Sequence, residues 1–396
     1  MRDQQPASKR SLRVARFPVA ASVAAGVMVA AASAGLGASA AAASSKWTQQ
    51  REFTSSTAPN FGAPVAISGD GNTALVGAAA TVFMYTRSGT AWHLQQKVNL
   101  PGDVVVTALA INSDGADALI GTSVTGNPSG AAVGTYGWSG TRWILESDAS
   151  WSSLSGLTLA LSGDGGTALI SGSACHLSSC NPVLISWHRS GINWNHGQVL
   201  MGIGGNVAIS SDGSTAIVNS PSGPGLGAVT VLDWNGTVWA QQQVLTDKNS
   251  VVDQSSFGTG LALSANGSVA FIGGAPQGSY GAAWLFTRTG TTWTQQQTLS
   301  ATGEGDGESA TVALSADGTV AMVAVLGPED AYGTVSVFQC SATKCVHQHA
   351  IAVKSQPDGY GNGFGGSVSI SSDGTTALIG TGFSSDPVFA AWVFTS

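Results

Sequence analysis

Short apolar runs recur along this chain at even spacing, and each is interrupted by the same polar turn. The first copy reads Ile67-Ser68-Gly69-Asp70-Gly71-Asn72-Thr73-Ala74-Leu75-Val76-Gly77. The turn returns at Asp114-Gly115, Asp164-Gly165, Asp212-Gly213, Asn266-Gly267, Asp317-Gly318 and Asp373-Gly374, about 50 residues apart. Asp-Gly or Asn-Gly between two β-prone runs is a strong hairpin signal, read here as a two-residue turn with both central residues at positive φ. That register sets Ser68 against Thr73, Ser162 against Thr167, Ser210 against Thr215 and Ser371 against Thr376, as cross-strand hydroxyl pairs.

A second hairpin follows in each unit and carries aromatic residues. In the fifth copy it reads Trp284-Leu285-Phe286-Thr287-Arg288-Thr289-Gly290-Thr291-Thr292-Trp293. A turn at Thr289-Gly290 sets Phe286 opposite Trp293. The same offset pairs Tyr85 with Trp92, Tyr136 with Trp143, Trp187 with Trp194 and Leu232 with Trp239. Two hairpins per unit make a four-stranded antiparallel blade.

The chain ends decide how seven blades are arranged. The last copy stops at Trp392-Val393-Phe394-Thr395-Ser396, before its fourth strand, while Lys46-Trp47-Thr48-Gln49-Gln50 matches that strand, with Trp47 set to face Phe394. One repeat split between the ends closes a ring and leaves no dangling edge. The expected fold is therefore all-β: a seven-bladed β-propeller over residues 44–396, its last blade closed by the N-terminal strand, with no second domain.

Residues 1–43 read differently. Arg2, Lys9, Arg10, Arg13 and Arg16 precede an uncharged run from Phe17 to Ala43 that contains Ala38-Ser39-Ala40. Basic start, apolar middle and small-residue end are the layout of a secretory signal peptide. Ser8-Lys9-Arg10-Ser11-Leu12 resembles a twin-arginine signal with Lys in place of the first Arg, a departure that counts against that route. Cleavage after Ala40 would carry the net charge from −7 to about −11. The expected mature protein is acidic, secreted or at the cell surface, free of the membrane and monomeric.

Phe257-Gly258, Ala262-Leu263-Ser264 and Gly274-Ala275-Pro276 resemble the FG-GAP repeat of integrin-α-type propellers, and Phe61-Gly62 and Phe364-Gly365 begin two further copies. The resemblance implies an extracellular propeller, often adhesive or glycan-associated. Many blades of that family carry a Ca²⁺ loop between their first two strands. Here the loop is cut to Ser-x-Asp-Gly, and one carboxylate such as Asp70 or Asp317 cannot supply the six to eight oxygens Ca²⁺ takes. No cofactor or metal is expected, with Ca²⁺ kept as the alternative that the shortened loop argues against.

Composition narrows the functions. Only 9% of residues are charged, and 15 Lys+Arg against 22 Asp+Glu leave no electrostatic footprint for nucleic acid. No Gly-x-Ser-x-Gly elbow, His-Glu-x-x-His helix or phosphate loop is present. His347-x-His349 offers two metal-capable rings without a third ligand in view. Cys175 with Cys180 and Cys340 with Cys345 read as two disulfides in an exported chain. Asn235-Gly236-Thr237 and Asn266-Gly267-Ser268 match glycosylation sequons but sit in turns.

Acidic residues gather where blades join on one face: Asp247 and Asp253 before blade 5, Glu304, Asp306 and Glu308 before blade 6, Glu329 and Asp330 within blade 6, and Asp358 with Tyr360 before blade 7. These are the candidate binding residues, for an extracellular protein, glycan or cell-wall partner. The alternative is a hydrolase with its site at the channel mouth. Solvent exposure of Trp92, Trp143, Trp239 and Trp293 would instead point to a lectin.

Overall fold

The computed structural model describes residues 46–55, 57–176, 179–191, 193–220, 227–248, 256–275, 281–300, 310–326, 333–353, 363–382 and 390–396. They form strands β1 to β28 in chain order, arranged as seven four-stranded antiparallel sheets. Blade 1 is β2 (Val65–Ile67), β3 (Thr73–Ala78), β4 (Thr81–Ser88) and β5 (Ala91–Asn99), counted from the axis outward. Blades 2 to 6 repeat this order over 104–151, 154–201, 207–245, 260–300 and 311–351. Blade 7 takes three strands from 364–395, and β1 (Thr48–Thr54) pairs with the last of them, β28 (Ala390–Thr395). The ring closes as the split repeat predicts.

Each seam between blades is filled by side chains from both. The three Phe-Gly pairs show how. Phe61, Phe257 and Phe364 are fully buried, with ring edges against Phe83, Trp284 and Trp392 of the outward strands. Gly62, Gly258 and Gly365 follow at φ of 99°, 95° and 89°. A Cβ on Gly62 would lie 2.2 Å from the Ala390 carbonyl oxygen, so the turn excludes any side chain.

The first-hairpin register is as expected, but its turn is of another kind. Gly71 N–H donates to the Ser68 carbonyl at 2.9 Å, and only Gly71, not Asp70, has positive φ. This is a four-residue loop ending in a left-handed glycine, and Asp suits it through its carboxylate. Asp70 accepts the Ser68 hydroxyl and the Asn72 N–H, while Ser68 Oγ accepts the Thr73 N–H at 2.9 Å. The serine therefore meets backbone and carboxylate, not the threonine hydroxyl. The same bonds recur around Ser162, Ser210, Ser315 and Ser371.

The second-hairpin register differs from expectation by two residues. Arg288, not Phe286, faces Trp293, and likewise Arg87 faces Trp92, Trp138 Trp143, Arg189 Trp194 and Trp234 Trp239. Gly89 and Gly290, at φ near 60°, open two-residue loops one position later than read from sequence, and Trp47 lies beyond the Thr48–Thr395 pair rather than opposite Phe394. A shift of two keeps every side chain on its face, so the expected aromatic partners become diagonal neighbours. Trp47, Trp92, Trp143, Trp194, Trp239 and Trp293 are all buried.

Candidate binding faces

An antiparallel blade has two ends, and the turns and the connections fall on opposite ones. At the turn end, the residue between Ser (or Asn112) and Asp/Asn in each first hairpin meets its counterpart in the next blade. Ser372 N–H donates to Gly69 O (2.8 Å), Asp70 to Ser113 (2.9 Å), Ser113 to Gly163 (3.0 Å) and Asp164 to Ser211 (3.2 Å). Ser211 donates to Ala265 (3.0 Å), Ala265 to Ala316 (2.8 Å), and Ala316 returns the chain to Ser372 (2.9 Å). Seven backbone hydrogen bonds thus form a closed belt around the axis. Gly, Ser and Ala alone occupy these seven positions, because a Cβ at Gly69 would already lie 2.5 Å from Ser372 Oγ and 3.0 Å from Ser113 Cα.

Asp70, Asp114, Asp164, Asp212, Asn266, Asp317 and Asp373 stand exposed around the belt. Each of the six carboxylates accepts hydrogen bonds within its own turn. Burial opposes ionisation of Asp212 and Asp373, but hydrogen bonds from Ser210 and Ser214, and from Ser371 and Thr375, outweigh it and hold both below the usual carboxylate range.

Outside the belt, charged latches cross three seams. Arg189 of blade 3 binds Asp117 and Glu146 of blade 2, Arg288 of blade 5 binds Asp233 of blade 4 at 2.7 Å, and Arg87 of blade 1 donates to Thr376 Oγ1 of blade 7. Burial raises the Asp117 carboxyl above its usual value, with Arg189 opposing and Glu146 and Asp114 adding to the rise. Where Asp233 has its equivalent in blade 3, His188 stacks on Trp234 at 4.2 Å, and burial lowers its pKa. These groups hold neighbouring blades together.

The connections occupy the other end. Asp253, Glu304, Asp306, Glu308, Glu329, Asp330, Asp358 and Tyr360 lie outside the described residues. Asp247 is described: its Oδ1 accepts Gln295 Nε2 of blade 5 at 3.2 Å, and Gln295 Oε1 accepts the Lys248 N–H at 3.0 Å, so it anchors the link between two blades. Cys175 bonds to Cys180 at the connection end of blade 3, and Cys340 to Cys345, directly opposite each other, at the turn end of blade 6. The second bridge is buried and takes the place of the Arg–Trp pair. Two disulfides belong to an oxidising environment. Among the described residues, no three His, Cys, Asp or Glu side chains gather as a metal would require, and no helix is long and apolar enough to cross a membrane. His347 and His349 flank a bulge at Gln348 on the outer strand, with His347 edge-on to Phe338.

No family model matches the sequence, and no curated protein matches it. Solved structures do match in fold. One is a chain of a mitotic checkpoint complex, with TM-score 0.58 and 13% identity over 93% of this chain and 99% of that one. The Cps50 (Swd1) β-propeller domain of Myceliophteria thermophila has TM-score 0.57 and 10% identity over 86% and 99%. A periplasmic gluconolactonase of Pseudomonas aeruginosa has TM-score 0.53 and 13% identity over 74% and 86%. At such identities the likeness is one of fold alone.

Proposed function

We propose that this protein is a secreted, non-catalytic propeller of FG-GAP type, a monomeric disc over residues 44–396 that presents its connection face to an extracellular protein, glycan or cell-wall partner. The observation that carries the reading is the division of labour between the two ends. At the turn end the carboxylates are spent on turns and latches and the axis is ringed by a bonded belt. At the connection end the sequence places further acidic residues, Asp253, Glu304, Asp306, Glu308, Glu329, Asp330 and Asp358, with Tyr360. Burial of the repeated tryptophans favours packing over a lectin role. The signal-like segment 1–43 and the two disulfides support export.

A binding array of glycans and cell-wall fractions, with and without a Ca²⁺ chelator, tests the proposal. Binding should survive chelation and fall when Glu304, Asp306 and Glu308 are changed together to Gln, Asn and Gln. Binding lost instead on changing Asp114 and Asp317 to Asn would move the site to the turn face. Turnover of an arrayed glycan would establish the hydrolase instead.

A further inference from the structure

Two Asn-Gly pairs lie within the described residues, and the fold treats them in opposite ways. Asn235-Gly236 forms the exposed second-hairpin loop of blade 4, closed by Asn235 N–H to the Val238 carbonyl at 3.2 Å. Asn235 Oδ1 accepts the N–H groups of Thr237 and Val238, at 3.0 and 2.9 Å. Two donors on that oxygen polarise the side-chain carbonyl and leave its carbon electrophilic. Gly236 is exposed at φ 93°, its N–H has no acceptor among the described residues, and nothing lies within 4 Å of where a Cβ would stand.

Asn266-Gly267 sits instead in the first-hairpin turn of blade 5, beside the belt. Gly267 N–H is bonded to the Ser264 carbonyl at 3.0 Å, and Gly267 is buried against Thr215 and Ser210 of blade 4. The Asn266 side-chain oxygen is polarised likewise, by Ser264 Oγ, Ser268 N–H and Ser268 Oγ, so the difference between the two sites lies at the nucleophile and in burial. At Asn266 the nucleophile is occupied and the turn is packed into a seam.

We propose that Asn235 is a site of spontaneous deamidation, and that the fold protects Asn266 from the same reaction. The Gly236 nitrogen loses its proton to solvent base and attacks Asn235 Cγ. The new C–N bond closes a succinimide, and the side-chain amide leaves as ammonia. Water then opens the ring at either carbonyl, giving Asp or isoaspartate at position 235. One water is consumed, one ammonia is released, and nothing is oxidised. The product adds a negative charge to the turn face, and the isoaspartyl form lengthens the backbone within the loop that joins Trp234 to Trp239. At Asn266 the reaction waits on local opening of the seam, so in the native chain it runs about tenfold or more slower.

The test is peptide mapping by mass spectrometry of the folded chain after incubation at mildly alkaline pH, beside the same chain in denaturant. The peptide with Asn235 should gain about one dalton and an isoaspartyl isomer in the folded chain. The peptide with Asn266 should do so only in denaturant. Equal rates at both sites in the folded chain, or a folded Asn235 as inert as Asn266, would overturn the proposal. Asn235→Gln, with a side chain that cyclises far more slowly, should remove the acidic form seen on isoelectric focusing. Persistence of that form at wild-type amount would place the modification elsewhere and equally overturn the assignment.

Discussion

Gln96 grips the backbone of Trp143 across the seam between blades 1 and 2. Its Oε1 accepts the Trp143 N–H at 2.8 Å, and its Nε2 donates to the Trp143 carbonyl at 3.2 Å. The side-chain amide thereby copies the bonding of a neighbouring β-strand, joining outer strands that are otherwise edges. Gln243 holds Trp293 and Gln297 holds Cys345 in the same two-handed way. A β-bulge makes this work. The outer strand bulges at Gln50, Gln95, Glu146, Gln242, Gln296 and Gln348, which aims two successive side chains at the next blade. The bulge residue then takes the indole: Gln50, Gln95 and Gln242 accept Trp92, Trp143 and Trp293 Nε1.

Gln96→Ala should therefore cost about 1–3 kcal/mol, because it strands two part-buried backbone groups. Gln96→Glu should cost a similar amount despite near-identical shape, since a carboxylate accepts the N–H but repels the carbonyl. Denaturant unfolding of the two variants checks this. A glutamate variant as stable as wild type would show that the second hydrogen bond contributes nothing.

The repeat, the blade count and the ring closure are legible in the sequence because a turn needing Gly leaves an unmistakable mark every 50 residues. The aromatic positions are legible too, but their register is not. Hairpins that turn at Ser88-Gly89 or at Gly89-Thr90 bury the same residues, so the apolar pattern cannot choose between them. The grip by Gln96 is hidden for another reason: Gln-Gln reads as two solvent-facing residues of a strand, and nothing local announces the bulge that turns both to one side. Where the bulge residue is not Gln, the buried indole goes without a partner. In blade 3 the irregularity falls at Gly197-Gln198, and glycine has no side chain to offer the Trp239 indole, while Glu146 of blade 2 is held by Arg189 and leaves the Trp194 indole unbonded. The acidic candidates belong to connections, where sequence periodicity supplies no geometry.

At the belt, Gly69→Ala should destabilise by about 1–3 kcal/mol through overpacking against Ser372 and Ser113. Ala265→Ser should be nearly neutral, since Ser already serves at three belt positions. Thermal unfolding of both variants measures the contrast. If Gly69→Ala proves as stable as Ala265→Ser, the belt is not close-packed at that point.

Arg189 neutralises two part-buried carboxylates at once, so Arg189→Gln should leave Asp117 and Glu146 repelling each other. The Asp117 pKa, raised already, should rise further. A carboxyl whose folded pKa exceeds its unfolded value loses stability as pH rises through the folded pKa, because the folded state is then the better proton binder. The penalty of Arg189→Gln should accordingly be larger at neutral pH than at a pH below the unfolded carboxylate range. An equal penalty at both would mean that lost packing, not charge, explains the effect.

His188 sets the expected behaviour at mildly acid pH. Its ring stacks on Trp234, its Nδ1 lies 3.4 Å from Thr167 Oγ1, and its buried Nε2 has no partner to receive a new proton's hydrogen bond. Burial lowers its pKa below 6.5. The unfolded chain therefore binds the proton first, and the neutral ring's contribution, present above about pH 6.5, is lost as pH falls below it. Asp212 and Asp373, with lowered pKa values, add a second loss only at much lower pH, below the ordinary Asp value of 3.8. Stability of wild type should thus fall relative to His188→Gln between about pH 7 and pH 5, measured by urea midpoints across the range. A proton on the ring leaves the buried Nε2–H without an acceptor beside Trp234; parallel midpoint curves for the two proteins would show that the seam accommodates it.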